Sequence, residues 1–92
     1  MRLLVTPTFD RTVKKLHRQQ KALLDEAVRA IASEPELGEA KVGDLSGIQV
    51  YKFNMGHQRC LLAYRVLDAN TIKLLMVGPH ENFYRNLKRT ET

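Results

Sequence analysis

The chain has 92 residues, of which 43% are hydrophobic and 27% are charged, and its formal net charge is +5. This length predicts a single domain over residues 1–92, and the composition is that of a folded protein rather than a disordered one. No apolar run approaches the roughly 20 residues of a membrane span. The single cysteine, Cys60, excludes an internal disulfide and a cysteine-built metal site. We therefore expect a cytoplasmic protein without a metal or other cofactor.

Positive charge is concentrated at the two ends of the sequence. Residues 1–21 carry six basic side chains and one acidic one, residues 22–46 carry two and six, and residues 47–92 carry seven and three. A basic half on a small protein suggests a polyanionic partner, either a nucleic acid or an acidic protein segment. A surplus of this size is also common on inert domains.

The first third of the chain predicts one strand followed by two helices. Residues 2–6 form a short, mainly apolar run that stops at a proline, which indicates a strand. Apolar residues then recur at helical spacing from Phe9 to Leu16 and again from Leu23 to Ile31. Pro35 ends the second helix, because proline disfavours helical backbone in the residue before it.

The remaining sequence predicts a loop, three strands and a closing helix. Residues 35–47 are rich in glycine, proline and short polar side chains, and we interpret them as a long loop. The period then changes to two, which predicts strands over residues 48–53, 59–66 and 71–77. A short helix over residues 80–89 follows a Gly-Pro break. The order β-α-α-β-β-β-α predicts an α+β domain: an antiparallel meander sheet with two N-terminal helices packed on one face.

Alternation along the predicted strands places cations on the sheet face that points away from the two helices. Lys52, Arg59 and Arg65 should edge that face, and the C-terminal segment can fold across it. That segment adds six polar side chains: His80, Glu81, Tyr84, Arg85, Lys88 and Arg89. Such a set suits cleavage of a phosphodiester, because cations neutralise charge on the phosphate and histidine or glutamate can move protons.

Each of these residues also has a purely structural interpretation. Arg59 and Lys52 can be solvated charges on a strand. Amphipathic packing explains Tyr84 equally well, and His80 can cap the last helix. The residues alone therefore leave open both a phosphate-binding site and a solvated basic surface.

Three segments in order resemble the RelE/ParE superfamily, the toxins of type II toxin–antitoxin modules. They are residues 44–53 (DLSGIQVYKF), residues 57–64 (HQRCLLAY) and residues 77–84 (VGPHENFY). The resemblance covers nearly the whole chain, favours the RelE-like branch and implies the RelE-like fold. In that branch it implies a metal-independent, ribosome-dependent endoribonuclease that cuts mRNA by attack of the neighbouring 2′-hydroxyl.

The resemblance also implies roles for particular residues. Lys52 and Arg59 match a lysine and an arginine expected near the scissile phosphate, and Tyr84 matches a tyrosine expected to stack on or orient the mRNA. His80 stands where the motif has arginine, and we expect it to be the general acid or base, with Glu81 in reserve or as its orienting partner. Three further cations are expected to bind RNA: Arg65, Arg85 and Lys88.

Two cations of the family pattern are missing from this sequence. His80 replaces an arginine, with Pro79 in place of the preceding histidine, and Asn54 stands where some members have a second lysine. The clamp around the phosphate is therefore expected to be thinner than in the family pattern.

The resemblance implies partners as well. We expect a cognate antitoxin whose acidic segment folds as it binds the basic face. The complex would reach operator DNA through the antitoxin, the toxin would act on the ribosome and mRNA, and no membrane is involved. The alternative is a ParE-like toxin that binds and inhibits DNA gyrase without nuclease activity. A degenerate toxin that only binds antitoxin or operator is a third possibility, because the fold does not decide the function.

Overall fold

Capping and apolar periodicity set the helices. The computed structural model describes residues 1–91; residue 92 of the predicted domain lies outside the described residues. The three α-helices are α1 (Pro7–Lys15), α2 (Arg18–Ser33) and α3 (Phe83–Glu91). Thr6 caps α1, because its side-chain oxygen accepts a hydrogen bond from the N–H of Phe9 at 3.0 Å. The same hydroxyl donates to the main-chain oxygen of Leu75 at 2.6 Å, so the cap also ties α1 to the sheet.

Five strands form one sheet in the order β1-β5-β4-β3-β2. They are β1 (Arg2–Val5), β2 (Glu39–Ala40), β3 (Gln49–Met55), β4 (Gln58–Asp68) and β5 (Thr71–Pro79). From β2 to β5 every neighbouring pair is antiparallel, which confirms the predicted meander. β1 pairs with β5 in parallel, with Arg2 opposite Thr71 and Val5 opposite Leu74.

The segment predicted as a long loop contains more structure than expected. It holds two short 3₁₀ turns, Pro35–Leu37 and Gly43–Leu45, and the two-residue strand β2 between them. The buried hydroxyl of Tyr64 holds this segment: it accepts a hydrogen bond from the N–H of Gly38 at 2.9 Å and donates to the main-chain oxygen of Pro35 at 2.7 Å. A Cβ at position 38 would lie 2.5 Å from that hydroxyl, so the close approach requires glycine.

The sheet buries apolar side chains on both faces. We call the face covered by α1 and α2 the helix-pair face; its core residues include Phe9, Ile31 and Leu62. We call the other face the α3 face, since Phe83 and Leu87 of α3 cover it. The remaining core residues of the α3 face are Leu45, Ile48, Val50, Leu61, Ala63, Leu75 and Met76.

An irregularity in β5 changes which side chains reach each face. Ala63 of β4 pairs with Met76, whereas the next residue, Tyr64, pairs with Leu74, so Leu75 has no partner in the register. Leu74 packs on the helix-pair face, while Leu75 and Met76 both pack on the α3 face. Two consecutive residues therefore share one face, as is typical of a β-bulge.

The turn into α3 brings the C-terminus back over the sheet. Asn82 has a φ of +61°, a left-handed conformation that asparagine tolerates better than most residues. The N–H of Phe83 donates to the main-chain oxygen of His80 at 3.2 Å across this turn. Phe83 and Leu87 then anchor α3 on the α3 face. Within residues 1–91, no helix is long and apolar enough to cross a membrane.

Candidate functional site

Lys52 and Arg59 lie side by side on the α3 face. Lys52 pairs with Leu61 and Arg59 pairs with Asn54, so the two cations are diagonal neighbours, with their Cα atoms about 7–8 Å apart. Leu61 belongs to the core of the α3 face, and directly opposite residues of an antiparallel pair point to the same side. Both cationic side chains are exposed, and the Arg59 guanidinium donates to the side-chain oxygen of Asn54 at 3.4 Å.

His80 and Tyr84 form an aromatic pair next to these cations. His80 follows Pro79, the partner of Cys60, and so lies at the end of β5 nearest to Arg59. The rings of His80 and Tyr84 meet edge-on, with centroids 6.1 Å apart and an interplanar angle of 82°. Phe83 also meets Tyr84 edge-on at 5.6 Å. Because Phe83 is buried, it fixes the start of α3 and with it the half-buried Tyr84.

Lys41 joins this site through the ring of Tyr84, although no sequence pattern singled it out. Its ammonium lies 5.1 Å from the centroid of the Tyr84 ring and 2.9 Å from Oε1 of Glu39. The hydrogen bond from Lys41, with its charge and that of Lys52, lowers the pKa of the Glu39 carboxyl. The hydrogen bond to Glu39 likewise raises the pKa of Lys41, and Tyr84 adds to this effect. Lys41 is therefore a permanent cation at neutral pH.

A sequence signal for Lys41 exists only in retrospect. Glu39 and Lys41 are separated by one residue, as are two side chains on the same side of a strand. The glycines and prolines around them favour a loop, which hides this short alternation. The pairing of Glu39 with Val50 places both charged residues on the α3 face.

The structure places Glu81 apart from the other predicted catalytic residues. Glu81 lines a cavity of about 540 Å³ between α1 and α3, together with Arg11 and Arg89, and neither His80 nor Tyr84 lines that cavity. Glu81 therefore borders the space between α1 and α3, whereas Tyr84 contacts Lys41.

The three residues predicted to bind RNA extend away from this group. Arg65 donates to the main-chain oxygen of Ser46 at 3.4 Å, and it lies roughly 20 Å along β4 from Arg59. Lys88 forms an ion pair with Asp44 at 3.7 Å, one turn beyond Tyr84 on α3. Arg85 is exposed on α3. These residues lie towards the far end of the α3 face or on the outside of α3.

The group on the α3 face has the chemistry of an anion site. Lys41, Lys52 and Arg59 supply positive charge, His80 supplies an imidazole, and Tyr84 supplies a ring and a hydroxyl. In the part of the chain that the structure describes, no three His, Cys, Asp or Glu side chains are grouped to hold a metal ion.

Comparison with known proteins identifies the family. The sequence model of the ParE-like toxins of type II bacterial toxin–antitoxin systems matches residues 3–88. No curated protein sequence matches the chain.

Three solved structures have the same fold. The E. coli toxin RelE, as a mutant in the free state, has a TM-score of 0.73 at 14% identity, over 97% of this chain and 90% of that one. A chain of the RelBE2 toxin–antitoxin complex of Mycobacterium tuberculosis has a TM-score of 0.72 at 24% identity, over 86% and 96%. A chain of the intact E. coli RelBE complex has a TM-score of 0.68 at 18% identity, over 87% of this chain and 96% of that one.

These likenesses confirm the predicted RelE-like α+β fold. Since the family model covers nearly all of the sequence, this chain belongs to the ParE-like toxins of type II toxin–antitoxin systems, within the RelE/ParE superfamily.

Proposed function

We propose that this toxin is an endoribonuclease that cuts mRNA on the ribosome and so stops translation in the cytoplasm. The observation that supports the proposal best is the grouping of Lys52 and Arg59 on one sheet face beside the His80–Tyr84 pair. Two cations at this spacing can bind the oxygens of one phosphate, and the neighbouring rings offer a surface to a base.

The chemistry of such a site is an internal transfer at phosphorus. The 2′-oxygen of the nucleotide bonds to phosphorus while the bond from phosphorus to the 5′-oxygen breaks, which gives a cyclic phosphate and a 5′-hydroxyl. Lys52 and Arg59 neutralise the charge that builds on the phosphate oxygens. Neutral His80 accepts the proton of the 2′-hydroxyl, and the departing 5′-oxygen takes one from solvent.

The exposure of the site supports the ribosome as the place of action. The side chains of Lys52, Arg59 and His80 are all exposed, which leaves an open surface. An open surface does little to position a flexible strand, and positioning contributes a large part of enzymatic rate. We propose that the ribosome supplies it by presenting the mRNA in a fixed conformation.

A cognate antitoxin is the natural inhibitor of such a surface. Toxin–antitoxin complexes are among the structural neighbours. We propose that an acidic segment of the antitoxin covers Lys52 and Arg59 as it folds, and that the complex binds operator DNA through the antitoxin.

The test is cleavage mapping with a matched pair of variants. Purified toxin is added to a translating extract, and to the same mRNA without ribosomes, and new 5′ ends are mapped by primer extension. Arg59→Ala should slow cleavage by about 10²–10³-fold. The control is Arg29→Ala, which removes an equal charge from the exposed side of α2 and should cut at the wild-type rate. Absence of cleavage by the wild type, or full activity of Arg59→Ala, would contradict the proposal.

The second candidate function is inhibition of DNA gyrase, which the ParE-like description of the matching family favours. A supercoiling assay with purified gyrase distinguishes the two functions. A gyrase inhibitor blocks supercoiling and leaves translation of a preformed mRNA intact, whereas the proposed nuclease does the reverse.

A further inference from the structure

The contact between Lys41 and Tyr84 has a role that neither the family pattern nor the sequence assigns. We infer that Lys41 is a positioning residue of the proposed nuclease site, which holds Tyr84 in the orientation that RNA requires. The inference rests on the proposed function and deepens it, since it adds the residue that follows β2 to a site otherwise built from β3, β4 and the C-terminal segment.

The Lys41 ammonium is largely withdrawn from solvent and lies against an aromatic ring. It lies over the ring of Tyr84 at 5.1 Å, and the Lys41 side chain is only 20% exposed. A cation–π contact strengthens when its cation is withdrawn from water, so this contact is stronger than one between exposed groups. His80 and Phe83 meet the same ring edge-on, which leaves Tyr84 restrained by three neighbours.

Lys41 is itself held in place by two hydrogen bonds. Its side chain donates to Glu39 at 2.9 Å, and its main-chain N–H donates to the oxygen of Ile48 at 2.9 Å. Glu39 pairs with Val50 of β3, so both partners are fixed to the sheet edge. The side chain of Glu39 is 63% exposed, and the pair is therefore of little value to stability. Its effect is to direct the ammonium of Lys41 at the ring.

Restraint of the Tyr84 ring before binding reduces the entropy cost of its contact with RNA. A ring that is free to change rotamer loses that freedom when it contacts a nucleotide, and the loss weakens the contact. A ring already held by Lys41 avoids the loss. The effect of Lys41 on cleavage must then pass through Tyr84, which separates this role from direct binding of phosphate.

A double-mutant cycle tests the inference. Lys41→Met keeps the length and apolar stem of the side chain and removes its charge. We expect it to slow single-turnover cleavage in the translating extract by about 10-fold, the size of a partly buried cation–π contact. Lys41→Arg should restore most of the rate, because a guanidinium also lies over aromatic faces and pairs with a carboxylate. In a Tyr84→Ala background, Lys41→Met should have no further effect.

Two measurements keep the outcomes distinct. Lys21→Met, on the exposed side of α2, controls for the loss of one charge, and thermal unfolding shows that each variant is folded. Aromatic NMR spectra of the toxin alone should show the Tyr84 ring resonances shifted by Lys41→Met and largely retained by Lys41→Arg, a readout that needs no nuclease activity.

Equal slowing by Lys41→Met in the wild-type and Tyr84→Ala backgrounds would overturn the inference, and so would unshifted Tyr84 resonances. Cleavage that depends on Arg59 but not on Lys41 would overturn it while leaving the proposed function intact. If the wild type cuts no mRNA, the proposed function fails, and the NMR comparison still decides whether Lys41 positions the ring.

Discussion

The two faces of the sheet are covered to different extents. On the helix-pair face, α1 and α2 bury Leu62, Tyr64 and their neighbours almost completely. On the α3 face, one short helix covers Leu61 and Ala63 and leaves Lys52 and Arg59 exposed beyond its first turn. Buried residues on both faces therefore support the fold, whereas the candidate chemistry lies only at the exposed end of the α3 face. Changes at buried positions should alter unfolding, and changes at that exposed end should alter activity.

The largest expected effect is on the α3 face. His80→Ala should slow cleavage by about 10²–10⁴-fold, because the proposed site then lacks its proton acceptor. The free energy of unfolding should change little, since His80 is exposed. Single-turnover cleavage in the translating extract measures the cleavage rate, and urea unfolding measures the free energy of unfolding.

The control is His17→Asn, which removes an imidazole at the start of α2 and keeps a residue suited to capping. A His80→Ala variant that arrests translation at the wild-type rate would remove His80 from the mechanism.

The next effect is on the helix-pair face. Leu62 is 0% exposed in the core against α1 and α2. Leu62→Ala should lower the free energy of unfolding by about 2–5 kcal/mol through lost burial and the cavity left behind. Urea unfolding, monitored by circular dichroism, measures this change in the free energy of unfolding. Val66→Ala, at a 39% exposed position of the same strand, should cost much less. Similar losses for both variants would show that burial on the helix-pair face does not set the cost of the truncation.

The smallest of the three effects concerns the hydrogen bonds of the Tyr64 hydroxyl, which connect the helix-pair face to the segment that carries β2. Tyr64→Phe leaves the Gly38 N–H and the Pro35 oxygen without their partner and should cost about 1–3 kcal/mol of unfolding free energy. Urea unfolding near neutral pH measures it.

The same variant makes a pH-dependent prediction. Burial raises the pKa of Tyr64 above its ordinary value of 10.0, although the hydrogen bond from Gly38 opposes the shift. The phenol then ionises more readily in the unfolded chain, so its contribution to stability is complete below that value and is lost as pH rises through the folded-state pKa. Unfolding free energies measured on both sides of about pH 10 should fall more steeply for the wild type than for Tyr64→Phe. Equal slopes would contradict the shift.

Much of the fold was predictable because local pattern and tertiary contacts agree. The helical spacing from Phe9 to Leu16 and from Leu23 to Ile31 corresponds to α1 and α2, and the period of two corresponds to β3, β4 and β5. The parallel pairing of β1 with β5 was not predictable from periodicity, since it depends on which sheet edge remains open. The bulge at Leu75 was not predictable either, because it arises from the pairing between β4 and β5.

The candidate site was predictable only where it lies on regular strands. Lys52 and Arg59 follow from alternation, and their placement on one face agrees with it. Lys41 did not follow, because it lies just after β2, and a strand of two residues is too short to show a period. The orientation of Glu81 depends on the turn before α3, whose backbone geometry no residue pattern reveals. The catalytic roles of all these residues stay predictions.

The left-handed turn at Asn82 has a consequence for how this protein can change over time. Each residue of an α-helix advances the next side chain by about 100°, since a turn takes about 3.6 residues. Phe83 and Tyr84 are consecutive in α3, so a change at this turn that rotated α3 by one residue position would move Tyr84 away from Lys41 and Phe83 out of the core together. Such a change would therefore destabilise the fold as well as the site. Selection for a stable domain then also preserves the geometry of the toxin surface.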